Sequence, residues 1–203
     1  MFKGRKKGAS PLDPEFLRGF HERAKTEGPR IDALIDRISE SAQELGRLAI
    51  LAADKGKSED ERHEALVLIS GAISRNKADI SAIEGMLLPL TGDGSDLLAN
   101  LASSVLAAHY LERMEHPKLL KLASDSRSAV RLGAVSEAEM FVLARGYDPR
   151  IGSVFAAHAL DADPLVRKSC RSGLFEGEKS GDEWAGKLLD AVTEREKKGR
   201  LDS

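Results

Sequence analysis

Hydrophobic residues along this chain recur at helical spacing rather than in strand-like alternation. From Ile31 they fall seven apart, at Ile31, Ile38, Leu45 and Ala52, with Leu34/Ile35, Ala42 and Leu48/Ala49 between them. That period puts them on one face of a helix. Gly56 and Lys57 interrupt the pattern, and Ser58 with Glu61 three residues on forms a capping box that starts a new helix. The seam resumes at Leu66, Ile73, Ile80 and Leu87, with Ile69, Ile83 and Leu90 between. Two helices joined by so short a turn run antiparallel. At ~1.5 Å per residue each arm of the predicted hairpin is about 36 Å long. Leu68 and Ala72 lie off the seam, so the hairpin is expected to pack on later helices or on a second copy, which makes a homodimer through the hairpin one expected assembly. Ahead of it, Asp13-Pro14-Glu15 reads as a helix start, Phe16, Leu17, Phe20 and Ala24 share a face, and Gly28-Pro29 end that helix.

The segment from Pro89 to Ser95 carries a proline, two glycines and short polar residues, and marks the main break. The expected organisation is a tail over 1–12, a helix and long hairpin over 13–90, and a second helical region over 95–200. A helix with Leu97, Leu98, Leu101, Val105, Ala108 and Leu111 on its buried side follows the break and ends near His116-Pro117. Beyond it the helices shorten. His116-Pro117 and Asp148-Pro149 each open a short apolar helix, and each helix ends at an acidic turn, Ser124-Asp125-Ser126 in one unit and Asp161-Ala162-Asp163-Pro164 in the other. Both turns lead to Val-Arg, at Val130-Arg131 and at Val166-Arg167, 36 residues later. Matching features at that interval signal a helical repeat.

These elements, with the small residues Gly133/Ala134 and Ser169/Cys170 after each Arg, resemble the HEAT-like family of α-helical repeats over roughly 117–175. The resemblance implies a stacked, curved helical surface that binds proteins in most members and nucleic acid in some. The fold class expected for the whole chain is therefore all-α, a long antiparallel helical hairpin followed by a short HEAT-like stack. A final helix, opened by Ser180 and Glu183 and carrying Trp184, Leu188, Leu189 and Val192, is expected to cap it.

Charge adds little to this picture globally, because 31 Lys and Arg against 33 Asp and Glu leave a formal charge of -2. No global field points to nucleic acid. The only cysteine, Cys170, excludes an intramolecular disulfide framework and fits a reducing, cytoplasmic setting. No apolar run of leader or membrane-span length follows the basic start. The candidate chemistry is equally sparse. Gly92-Asp93-Gly94-Ser95-Asp96 lacks the further oxygen ligands of a calcium loop and the Lys of a phosphate loop, so it reads as a turn with Ser95 or Asp96 as cap. His21, His63, His109, His116 and His158 show no metal-binding spacing, and Asp161/Asp163 reads as a helix cap rather than a catalytic pair. No cofactor, metal or enzymatic activity is expected.

What remains is a set of cations. Arg127, Arg131, Arg150, Arg167, Lys168 and Arg171 recur near the starts of the second helices and are expected to line one edge of the stack. That edge either contacts phosphates or, for Arg131 and Arg167 in particular, pairs with Asp125 or Asp163 to brace the repeats. A second basic group, Lys3, Arg5, Lys6 and Lys7, lies in the tail. The reading that follows is a non-enzymatic adaptor or assembly factor presenting a helical-repeat surface to a protein, with a nucleic-acid-binding repeat protein as the alternative.

Overall fold

The computed structural model describes residues 28–76 and 78–201. Among them every regular element is helical: α1 (Gly28–Ser39), α2 (Ala42–Ala53), α3 (Glu59–Asn76), α4 (Glu84–Leu87), a 3-10 turn (Leu88–Gly92), α5 (Asp96–Glu112), α6 (His116–Ala123), α7 (Ser128–Arg145), α8 (Pro149–His158), α9 (Pro164–Lys179) and α10 (Glu183–Leu201). The chain divides into two compact units, Met1–Leu87 and Leu88–Ser203. The basic tail and the helix expected from Asp13, with Phe16, Leu17, Phe20 and Ala24, lie outside the described residues. Gly28 and Pro29, expected to end that helix, are the first residues of α1.

In the first unit the antiparallel pairing is present but the long arms are not. The first arm is cut at Glu40 into α1 and α2, each of 12 residues and about 18 Å long. The break has a local cause. Ser39 Oγ turns back to donate to the Asp36 carbonyl (2.6 Å), and Ser41 caps α2 by accepting from the Glu44 N–H (3.3 Å). Both helices pack on α3, which runs back along them, so that Arg62 Nε reaches the Ala52 carbonyl (2.8 Å) at one end and Arg75 pairs with Asp32 at the other. The Ser58/Glu61 capping box forms as read: the Glu61 N–H donates to Ser58 Oγ (3.2 Å) and the Ser58 N–H to Glu61 Oε2 (3.0 Å).

The second arm is also shorter than expected, since α3 stops at Asn76 and Asp79 draws the chain into a turn by accepting from the Ser81 N–H (2.9 Å). The seam outlives the helix that suggested it. Ile38, Leu45, Ile73, Ile80 and Leu87 are buried, and so are Leu68 and Ala72. Ile38→Val and Ile73→Val should each lower stability by about 1 kcal/mol in urea melts. Two values near zero would place the seam outside the core.

In the second unit, α5, α7 and α9 lie side by side as one layer, and α6, α8 and α10 form the other. The first layer is parallel. Ser103 Oγ on α5 donates to the Val130 carbonyl near the start of α7 (2.7 Å), while Glu112 at the end of α5 holds Arg145 at the end of α7 (Oε2 to Nη1, 2.9 Å). α10 starts later than Ser180 suggests. Gly181, at φ +87°, ends α9 in a Schellman turn, with the Asp182 N–H donating to the Gly177 carbonyl (3.0 Å) and the Gly181 N–H to that of Glu178 (2.9 Å). The cap of α10 is then Asp182, which accepts from the Ala185 N–H (2.8 Å), and Ser180 Oγ instead donates to the carbonyls of Glu176 and Gly177.

Candidate binding surface of the second unit

Three turns that lead into α5, α7 and α9 share one construction. An aspartate accepts from the N–H two residues on: Asp93 from Ser95 (3.0 Å), Asp125 from Arg127 (2.9 Å) and Asp161 from Asp163 (2.9 Å). The donor residue, Ser95, Arg127 or Asp163, is itself the N-cap, and an apolar residue three positions later, Leu98, Val130 or Val166, is fully buried. Four positions after the cap stand Ala99, Arg131 and Arg167. The repeat thus begins at Asp93, one unit earlier than the Val-Arg signature reveals.

The arginines of these turns are engaged within the stack. Arg131 Nη1 donates to the Asp125 and Ser126 carbonyls (2.9 Å each), and Arg167 Nη1 does the same to Asp161 (2.5 Å) and Ala162 (2.8 Å) of its own turn. Ala99 has no such group, and Arg127 reaches across from the next turn to the Thr91 carbonyl (3.2 Å), the Asp93 carbonyl and Asp96 Oδ1 (2.6 Å). Arg131 also makes a bidentate pair with the Asp161 carboxylate, Nε to Oδ2 and Nη2 to Oδ1, both 2.8 Å, with side chains 14% and 6% exposed. Its carboxylate partner is therefore Asp161 rather than Asp125 or Asp163. Asp163 caps α9, accepting from the Leu165 N–H (2.8 Å).

Burial alone would push the Asp161 carboxyl up. The hydrogen bonds from Arg131 and from the Asp163 N–H outweigh burial and hold it below the ordinary carboxylate range. His158 adds to the group, with Nδ1 3.4 Å from Asp161 Oδ2.

The other three cations do not extend this row. Arg150 stands at the start of α8 and chelates its N-cap, Asp148 (Nη2 to Oδ2, 2.7 Å). Because α8 runs opposite to α9, that places Arg150 at the far end of the stack from the acidic turns. Lys168 is exposed on α9 and Arg171 is half-buried there. The structure thus brings Arg127, Arg131 and Arg167 together along one edge and leaves Arg150 apart from them.

The surface of the α5–α7–α9 layer has a different character. On α7 the buried side chains include Val130, Ala134, Val135, Ala138 and Val142, while Met140 and Leu143 are 60% and 52% exposed. On the neighbouring α9 Phe175 is 50% exposed, with Lys179 stacked over its ring at 5.5 Å. The two helices lie in register here, since Ser136 and Ser169 meet through their hydroxyls at 3.5 Å. Met140, Leu143 and Phe175 follow one to two turns on from that contact. Nothing in the hydrophobic pattern distinguishes them from core residues, and only the stacking shows that they face outward.

Comparison with protein-family models finds no match, and neither does comparison with curated proteins. Among solved structures the chain is similar to a TOG domain of C. elegans Zyg9, at a TM-score of 0.52 and 16% identity, with 98% of this chain and 90% of that chain covered. This chain has a HEAT-like helical-repeat fold. Within that fold Cys170 takes the small buried position after Arg167, and burial pushes its thiol up to about 12, which suits packing and not nucleophilic chemistry. Among the described residues no three His, Cys, Asp or Glu converge as a metal site, and no helix is long and apolar enough to cross a membrane.

Proposed function

We propose that this chain is a non-enzymatic protein-interaction module, an adaptor or assembly factor, that binds a protein partner through the exposed face of α7 and α9. The supporting observation is the exposure of Met140, Leu143 and Phe175 on adjacent parallel helices beside a closed core. Large apolar groups clustered on a surface mark interaction sites more often than isolated ones do. The nucleic-acid reading has less support, because Arg127, Arg131 and Arg167 already donate to carbonyls and carboxylates within the stack.

The test is crosslinking of the full chain in native lysate, comparing the wild type with Met140→Asp/Phe175→Asp. Crosslinked partner bands should fall at least about tenfold while the melting temperature stays within a few degrees, as for exposed substitutions. Undiminished crosslinking would remove this face from consideration. Salt-sensitive binding to a fluorescent duplex or single-stranded oligonucleotide at about 1 μM or tighter would promote the nucleic-acid reading instead.

A further inference from the structure

The apolar ridge on α7 is bordered by two acids that have no hydrogen-bond or ion-pair partner among the described residues. Glu137 precedes Met140 by three residues, and Glu139 precedes Leu143 by four. On a helix those spacings make each carboxylate the surface neighbour of an exposed apolar side chain. Both acids are half-buried. Three cations of the same layer pair with other acids: Arg131 with Asp161, Arg145 with Glu112 and Lys179 with Glu176.

Burial raises the Glu137 carboxyl above its ordinary range with no charge opposing it. A carboxylate held in a half-apolar setting without a countercharge is a standing cost, which a cation arriving with a ligand would relieve. Acid-flanked apolar surface complements one kind of segment, an amphipathic stretch with large apolar side chains on one face and Lys or Arg beside them.

Resting on the protein-interaction reading above, we infer that the Met140/Leu143 ridge of α7 docks a cationic amphipathic segment of a protein partner, with Glu137 and Glu139 pairing with its Lys or Arg side chains. The two contributions are separable. Met140 and Leu143 supply the buried apolar area, and the two carboxylates select the sign of the partner's charge.

The experiment pans the full chain against a phage-displayed library of random peptides about 16 residues long, enough for a marginal helix. Enriched peptides should carry large apolar residues at three- and four-residue spacing together with at least two Lys or Arg. The best of them, made synthetically, should bind Glu137→Gln/Glu139→Gln about tenfold more weakly. Glu137→Lys/Glu139→Lys should shift enrichment towards acidic peptides. Circular dichroism melts check that these variants stay folded, with the Gln pair expected at or above the wild-type temperature because Gln carries no charge to desolvate. Met140→Asp separates this inference from the reading beneath it. If Met140→Asp abolishes capture but the Gln and Lys variants capture the same peptides as the wild type, the face binds protein and the charge assignment is wrong. Enrichment of neutral or acidic peptides on the wild type also overturns the assignment, and no enrichment above the naive library overturns the docking site itself.

Discussion

Arg131→Met is expected to lower the stability of the chain by about 3 kcal/mol or more, because it strands the Asp161 carboxylate, which is only 6% exposed. The side chain serves two repeats at once. Its Nη1 closes its own turn on the Asp125 and Ser126 carbonyls, and its Nε and Nη2 hold the aspartate of the next turn. Removing it leaves Asp161 with the Asp163 N–H and His158, which do not replace a bidentate guanidinium. Urea denaturation of the single variant and of Arg131→Met/Asp161→Asn measures the effect. The double variant should recover more than half of the loss, since Asn keeps an oxygen for the Asp163 N–H and leaves no buried charge behind. A single variant within about 0.5 kcal/mol of wild type would show that the pair contributes nothing to the stack.

The same pair sets an acid limit. With its folded-state titration below the unfolded one, Asp161 adds stability that is fully present above about pH 4, the unfolded carboxyl value, and is lost as pH falls through the lower folded-state value. Arg131→Met should therefore flatten the acid limb of the stability profile. A profile with the same acid slope in both proteins would assign that limb to other carboxylates.

The features that could be read from the sequence are those whose cause is local. The Ser58/Glu61 box closes within three residues, and both partners of each bond are visible in one short string. The division of the first arm at Glu40 is just as local, through Ser41 and Glu44, but the seven-residue seam runs unbroken across it because α1 and α2 both face α3. Periodicity there reports burial correctly and helix continuity incorrectly. Other features depend on contacts between repeats. The acceptors of Arg127 are 36, 34 and 31 residues away, and no string around Arg127 names them. The first copy of the acidic turn, at Asp93, keeps the Asx bond and the buried Leu98 but has Ala99 where Val-Arg would end the signature. Met140, Leu143 and Phe175 are the reverse case, apolar residues that face outward because the layer of parallel helices leaves one side of α7 and α9 uncovered.

Gly133→Ala should be as damaging as any truncation of a large core residue, although it adds a single methyl group. An added Cβ would lie 2.3 Å from the Asn100 carbonyl oxygen and 3.0 Å from both Ser103 Cβ and the Ser104 backbone nitrogen. The atoms in the way belong mostly to the α5 backbone, which cannot rotate aside as the end of a flexible side chain can. The helices must therefore move apart. Separation stretches three bonds that stitch them together: Asn100 Nδ2 to the Ala129 carbonyl (3.0 Å), Ser103 Oγ to that of Val130 (2.7 Å) and Ser104 Oγ to that of Gly133 itself (3.3 Å). Overpacking costs about 1–3 kcal/mol and each lost bond about 1 kcal/mol, against which the better helix propensity of Ala returns roughly 1 kcal/mol. The net expectation is a loss of about 3 kcal/mol, read from thermal and urea melts of the full chain. Ser103→Ala is the control, since it removes one bond without adding volume and should cost about 1 kcal/mol. If Gly133→Ala were neutral or stabilising, helix propensity would have prevailed, and the close approach of α5 to α7 would have room that these distances deny.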